Sequence, residues 1–394
     1  MRIAIDARFI NPQNRGLACY TKNLVDSLQK IDSDNKYFIL LRKKDFPLVR
    51  LKNSNFYKVE AEAHWYGIKE QIVLPQILSR IKPDLTHFPH FNVPVLYPGN
   101  YLTTIHDLIL LSFPTSRATR LGKISYFIKE KGYFIAINRA LQKSRFIISV
   151  SQNTKEDILR FFPKIPAKKI KVIYEGAGET RSSKMNLLAK TSPAKRQAFL
   201  KKKLGVEVPF LLYFGGAYPH KNLERLVLAF QKLEKEKWNQ KKKLSLVLGG
   251  GDDFFFQRLK KFIKNHQIKN VVTPGFVKDK KTFEFLYKEA CFCIFPSLYE
   301  GFGLPPLEAL QRKKLVLASN STSFPEILGN GAIYFDAKNI NSIAQTIKET
   351  FLNKEEREKE YLPRASQILR KYHWEKTARE TLKLYEKSAA SKLV

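Results

Sequence analysis

Two carboxylates, Glu300 and Glu308, flank the stretch Gly301-Phe302-Gly303-Leu304-Pro305-Pro306-Leu307. An apolar run at residues 290–295 leads into this loop, and Pro305-Pro306 then opens a helix. Proline suits a first turn because its missing N–H would have no intrahelical partner there. On this reading Glu308 lies in the opening turn, near the third helical position, where a carboxylate favours the helix dipole and can cap a free amide. The glycines add a second role. Gly301 and Gly303 bracket Phe302 and let backbone amides approach a ligand closely, as strand-loop-helix junctions do when they cradle phosphates or sugar hydroxyls. Glu300, ahead of the glycines, has no such helix role.

A second cluster surrounds Lys221. Residues 210–216 read as strand and loop, Asn222 as an N-cap, and residues 223–233 as a helix. A lysine just before a helix N-terminus opposes the positive end of the dipole. Either Lys221 points into water, or an anion lies between it and the helix. His106-Asp107 follow the apolar run 101–105; they are a satisfied histidine beside a solvated aspartate, or a pair at the ligand end of a strand. Gly249-Gly250-Gly251-Asp252, after a strand, is a weak phosphate-site signal and reads better as a turn. His87 and His90 lack the companions that a metal site needs.

The elements that must position these residues alternate along the chain. Strand-like runs at residues 2–10, 37–41, 56–61, 84–88, 101–105, 146–150 and 170–174 are separated by helical patterns at 19–31, 67–81, within 117–143 and at 154–162. After a polar, lysine-rich connection at residues 181–203, strand-like runs recur at 209–215, 244–248, 271–273, 291–295, 315–318 and 332–335. Alternation of this kind implies parallel sheets covered on both faces. The fold class is α/β, with two Rossmann-like domains at residues 1–180 and 204–371, and a length of 394 residues exceeds what one core usually supports. Two such domains predict a ligand at the C-terminal ends of their strands, in a cleft where the domains face each other.

Composition narrows the class. With 44% hydrophobic residues the chain is globular material, and no apolar run approaches the roughly 20 residues that span a bilayer. The start, Met1-Arg2-Ile3-Ala4-Ile5-Asp6, reads as a strand and not as a signal peptide, so a cytoplasmic location is expected. Cys19, Cys291 and Cys293 are too few for a disulfide framework and read as small apolar residues. The net charge of +34 attracts polyanions, or reflects solvated lysines that add solubility. Arg117 to Arg145 holds eight basic residues against Glu130, interleaved with Tyr126, Phe127, Tyr133 and Phe134. That stretch is either a basic amphipathic helix lying on the inner face of an anionic membrane or a charged outer face with its aromatics turned to the core.

The spacing of Glu300 and Glu308 around Gly-Phe-Gly-Leu-Pro resembles the signature of the retaining GT-B glycosyltransferases of family 4, the glycosyl transferases group 1. The resemblance implies that Glu300 contacts the donor sugar and Glu308 the ribose of the nucleotide, with the amides of Gly301, Phe302, Gly303 and Leu304 on sugar and diphosphate. Residues 213–223 are similar to the family's glycine-rich loop ending in Lys-Asn, which implies donor binding by Gly215, Gly216 and Lys221. Many members carry arginine just after the glycine, where this chain has Gly216 and Ala217. Thr104-Ile105-His106-Asp107-Leu108 resembles the family's His-Asp motif, so that His106 orients the transferred sugar, with Asp107 beside it, and is no nucleophile. Residues 14–21 resemble the first-domain glycine loop through Gly16, with Cys19 where many members have arginine. Phe276 and Val277 fall in a segment whose backbone holds the base, and Ser323-Phe324-Pro325-Glu326 also looks familial and structural. The C-terminal segment 372–394 is expected to pack back on the first domain.

Among members of this family, the chain looks most like bacterial mannosyltransferases of the O-antigen type. That implies transfer of a hexose, mannose first, from GDP-mannose or another nucleotide-sugar to a glycan or lipid-linked acceptor, with no metal and no other cofactor. A UDP-sugar is the alternative donor. A nicotinamide oxidoreductase is disfavoured, because Asn11-Pro12-Gln13-Asn14-Arg15-Gly16 lacks the dinucleotide fingerprint. No nucleic-acid module accompanies the charge, so specific nucleic-acid binding is not expected.

Overall fold

The computed structural model describes residues 1–11, 14–115, 123–178 and 191–390. The chain divides into two compact units, one made of Met1–Gly176 with Tyr372–Val394 and the other of Ala177–Lys371.

The first unit is built on seven parallel strands: β1 (Arg2–Asp6), β2 (Lys36–Leu41), β3 (Phe56–Glu60), β4 (Leu85–Phe88), β5 (Tyr101–Ile105), β6 (Ile147–Ser149) and β7 (Ile170–Val172). Their order is β3-β2-β1-β4-β5-β6-β7, which reverses between β1 and β4. Apolar runs become strands here because both faces are covered: on one, Ala4 and Leu40 pack with Leu74 and Leu78 of the helix Ile68–Ile81, and the other is covered by two helices. Ile3, Ile5, Tyr37 and Ile39 pack with Leu24 and Leu28 of the helix Arg15–Ile31, and with Trp374, Ala378 and Tyr385 of the helix Trp374–Ala390. Each large apolar side chain so buried contributes about 1.5–3 kcal/mol. Sequence periodicity began the first helix at Cys19; it begins at Arg15, so Gly16 lies in its first turn and not in a loop before it. Pro12 and Gln13 lie outside the described residues.

The second unit has six parallel strands: β8 (Phe210–Phe214), β9 (Ser245–Gly249), β10 (Val271–Val272), β11 (Phe292–Phe295), β12 (Val316–Ser319) and β13 (Ile333–Phe335). The order β10-β9-β8-β11-β12-β13 reverses between β8 and β11. Cys293 is buried on β11, and Gly250 turns the chain after β9 so tightly that a Cβ would meet the Gly215 carbonyl oxygen at 2.2 Å.

Residues 181–190 of the polar connection lie outside the described residues. The remainder includes a helix, Pro193–Leu204, that begins six residues before Phe199, where apolar periodicity starts. Ser192 caps it by accepting from the Lys195 N–H, Pro193 sits at its start, and Arg196 is anchored to Glu289 at 2.6 Å. The cap, the proline and the Arg196 pair set the start of this helix, and none of them leaves an apolar period. Of the basic stretch, residues 117–122 and the side chains of 123–130, including Tyr126, Phe127 and Glu130, lie outside the described residues. In the rest of its helix, Tyr133 packs edge-on against Phe91, Phe134 stacks on Phe162, and Ile135 is exposed. None of the described helices is long and apolar enough to cross a membrane.

The junction of the C-terminal helix with the first sheet depends on Gly176. A Cβ there would meet the Trp374 backbone nitrogen at 2.4 Å and its ring at 2.5 Å. Thr377 Oγ1 donates to the Tyr174 carbonyl nearby at 2.7 Å. Gly176→Ala should therefore destabilise the first unit by about 1–3 kcal/mol, the usual cost of overpacking, read as a lower denaturant midpoint. An unchanged midpoint would show that the junction yields freely.

Candidate functional site

In the second unit the sheet order alone brings two of the singled-out residues together. β8 and β11 are neighbours at the point of reversal, and chains leaving such adjacent strands in opposite directions open a crevice at their C-terminal ends. Lys221 follows β8 and Glu300 follows β11. Lys221 Nζ donates to both Glu300 carboxylate oxygens, at 2.6 and 2.8 Å. The two side chains are 19% and 15% exposed, so the pair is largely out of water and removing either partner would leave the other uncompensated. Lys221 thus neither points into water nor stands alone before its helix.

The loops carrying the pair are stapled. The Leu298 N–H donates to the His220 carbonyl at 2.7 Å. Asn222 occupies the N-cap position with φ 61°, a left-handed conformation that asparagine tolerates, but it makes no side-chain cap. Its Nδ2 instead donates to the Pro296 and Ala337 carbonyls, at 3.0 and 2.7 Å, and so ties three strand ends together. His220 is buried, and burial, with the Lys221 charge, pushes its pKa down to about 2, so the ring is neutral. Gly215 is required by Tyr213, whose hydroxyl would lie 2.5 Å from a Cβ there and donates to the Gly216 carbonyl at 2.7 Å.

Glu300 is held at every polar atom. Ser297 Oγ donates to its Oε1 at 2.6 Å, its N–H donates to Thr322 Oγ1 at 2.9 Å, and its carbonyl accepts from Ser323 Oγ at 3.1 Å. Ser323 Oγ also reaches the Phe302 carbonyl, at 3.2 Å. Thr322 has φ 48° and ψ −122°, a region that costs a β-branched residue of order 1–3 kcal/mol. Thr322, Ser297 and Ser323 were not among the candidate site residues. Backbone strain leaves no mark in a sequence, although the familial look of residues 323–326 pointed to the segment next to it.

Gly303 has φ 102°, and a Cβ would meet the Phe324 ring at 2.7 Å; both facts require glycine. The following helix, Leu304–Gln311, starts with Gly303 as its N-cap and has no acidic residue in its first turn. Glu308 is therefore not near the third position but the fifth, and the capping role is excluded. A proline pair tolerated inside the first turn, one residue later than its very start, accounts for the shift. Glu308 is half-buried beside Arg312, whose guanidinium pairs with Glu284 and covers the Tyr287 ring at 4.7 Å. Gly301 and Phe302 are buried, Leu304 is half-buried, Phe276 is 68% exposed after β10, and Val277 is half-buried.

The first unit carries the remaining candidates. His106, at the end of β5, is 18% exposed; its Nδ1 lies 3.0 Å from Glu175 Oε1 and its Nε2 3.0 Å from the Pro89 carbonyl. Tyr20 meets the ring edge-on at 4.7 Å. Asp107 Oδ1 accepts the Ile109 N–H at 3.1 Å, a local turn contact. Gly16 is exposed, with open space where a Cβ would be. Cys19 Sγ accepts from Asn23. Glu175 went unnoticed in the sequence; a carboxylate directly after the strand-like run 170–174 was the available signal. His87 and His90 hold no common ligand: His87 bonds Tyr385 and Thr104, and the His90 ring lies tilted against Phe91 at 4.1 Å. Among the described residues no group of three His, Cys, Asp or Glu side chains is placed to hold a metal ion.

If Thr322 is kept in its strained conformation to hold Glu300, Thr322→Val, isosteric but unable to accept, should cost about 1 kcal/mol while Thr322→Ser costs little. Equal thermal shifts for the two variants would deny the hydroxyl this role.

The model for "Glycosyl transferases group 1" matches residues 194–361, and that for "Glycosyltransferase Family 4" matches residues 21–180. O-antigen chain mannosyltransferase B of Escherichia coli is 26% identical over 313 residues, 78% of this chain and 76% of that protein. O-antigen chain mannosyltransferase RfbU of Salmonella typhimurium is 24% identical over 284 residues, 72% and 69% of the two chains. Among solved structures, sucrose-phosphate synthase from Thermosynechococcus elongatus superposes with a TM-score of 0.74 at 18% identity, covering 99% of this chain and 100% of that one. Both sheets, both loops and both halves of the sequence agree: the chain belongs to the family 4, group 1 glycosyltransferases and has their GT-B fold.

Proposed function

We propose that this glycosyltransferase moves mannose from GDP-mannose to a hydroxyl of a glycan or lipid-linked acceptor in envelope polysaccharide synthesis, with retention of configuration and without a metal. The carrying observation is the Lys221–Glu300 contact at the strand reversal of the second sheet, in a chain similar to two O-antigen mannosyltransferases. Lys221 compensates the donor diphosphate and the charge that develops as it leaves, joined by the amides of Gly301, Phe302, Gly303 and Leu304 at the helix start. Glu300, released from Lys221, accepts from hydroxyls of the sugar. Glu308 takes the ribose, and Phe276 and Val277 the base. Gly215 and Gly216 let the loop after β8 approach the phosphates.

In the first unit, Gly16 offers backbone at a helix start, and His106 with Asp107 orients the transferred hexose. The attacking hydroxyl approaches the face that the leaving phosphate quits, and that phosphate accepts its proton. Peripheral contact with an anionic membrane is supported by exposed Ile135 between Lys131 and Arg139 on the helix Lys123–Lys143.

Thermal unfolding with GDP, UDP, ADP and NAD in EDTA tests the donor. GDP at about 100 times its dissociation constant should stabilise the protein by roughly 2.7 kcal/mol, and less in Glu308→Ala. A UDP-selective shift would replace mannose as the sugar, and no shift with any nucleotide would remove the donor site.

A further inference from the structure

His106 has two ring nitrogens and two partners that can only accept. One is the Glu175 carboxylate, 4% exposed, at 3.0 Å from Nδ1; the other is the Pro89 carbonyl oxygen, 3.0 Å from Nε2. A neutral imidazole carries one N–H and one lone pair. Its lone pair would then face an oxygen lone pair across a hydrogen-bond distance, on one side or the other. Both nitrogens are satisfied together only when both carry protons, and the ring is then a cation.

The surroundings agree. Burial opposes charge on His106, but the hydrogen bond and charge of Glu175, the Pro89 carbonyl and the charge of Asp107 outweigh it, and its pKa is raised. The other titratable groups near the ring yield to it. His87 is pushed down to about 3 by burial and by the charge of His106, and so is His90, leaving both neutral. Tyr20 closes the ring's edge and donates to, or accepts from, Thr104 Oγ1, which also bonds His87 Nε2. His87 Nδ1 bonds Tyr385 of the C-terminal helix. His106 is the one of these three histidines with a carboxylate at hydrogen-bond distance from its ring.

We propose that Glu175 is a positioning residue for sugar transfer, holding His106 as a fixed, doubly protonated ring. This rests on the reading of His106 as a residue that orients the transferred hexose. A ring bonded at both nitrogens keeps one orientation, and freeing one nitrogen loosens it, so loss of the Glu175 charge lowers kcat more than it raises the donor KM.

Two variants separate charge from shape. Glu175→Gln keeps the length and an acceptor oxygen but removes the charge; Glu175→Asp keeps the charge on a shorter arm. Imidazole nitrogen NMR at about pH 7, where an unshifted histidine is mostly neutral, should show both His106 nitrogens protonated in wild type and Glu175→Asp, and one bare in Glu175→Gln. With GDP-mannose, Glu175→Gln should lower kcat about tenfold, equivalent to ~1.4 kcal/mol, with donor KM changed less than about threefold, while Glu175→Asp retains more of kcat than Gln does. A structural role predicts the reverse order, the isosteric Gln being the milder change. A neutral His106 in an active wild type, or Gln at least as active as Asp, overturns this role alone. A wild type with a doubly protonated ring that turns over no nucleotide-sugar overturns the transfer reading, and this role with it.

Discussion

The contact between Lys221 and Glu300 is fixed by sheet order before any side chain packs. β8 and β11 lie side by side because the strand sequence reverses there, and the loops leaving their C-terminal ends have to diverge over a shared crevice. Whatever charge one loop carries, the other meets. Here a lysine meets a carboxylate, 2.6 Å apart and mostly out of water, and each prevents the other from being a lone buried charge. The staples from Leu298 and Asn222 leave the two loops little freedom to separate, and Ser297, Thr322 and Ser323 hold the carboxylate from the far side. In the proposed reaction that neutral pair is what a donor exchanges for its own: the cation goes to the diphosphate and the anion to the sugar hydroxyls.

Strands were legible because a parallel sheet covered on both faces demands continuous apolar runs, and β5, read at residues 101–105, is Tyr101–Ile105 in the structure. Gly303 was singled out for close approach to a ligand; the structure places two other demands on it, a positive φ and the close approach of the Phe324 ring. The place of Glu308 was not legible. Prolines mark a first turn without saying which of its positions they fill, and a helix that begins at Leu304 makes Glu308 a side chain half-buried beside Arg312 and not a cap. Thr322 is more instructive still. Its residue type argues against its backbone conformation, and only the folded structure shows a hydroxyl that receives the Glu300 N–H in return for the strain.

The first unit obeys the same logic with different chemistry. His106 ends β5 beside the chain leaving β4, which supplies the Pro89 carbonyl, while Glu175 arrives from beyond β7. The histidine could be read from its strand end; its partner could not, because the partner is 69 residues away and its meaning lies in burial. One residue further on, Gly176 admits Trp374, so the loop that carries Glu175 is also the one on which the C-terminal helix seats.

The most direct test of the Lys221–Glu300 exchange is a crystal structure of the protein with GDP-mannose bound. The account predicts that Lys221 Nζ has left Glu300 for a phosphate oxygen and that the Glu300 carboxylate accepts from hexose hydroxyls. A donor seated elsewhere, with the Lys221–Glu300 contact intact, would contradict it.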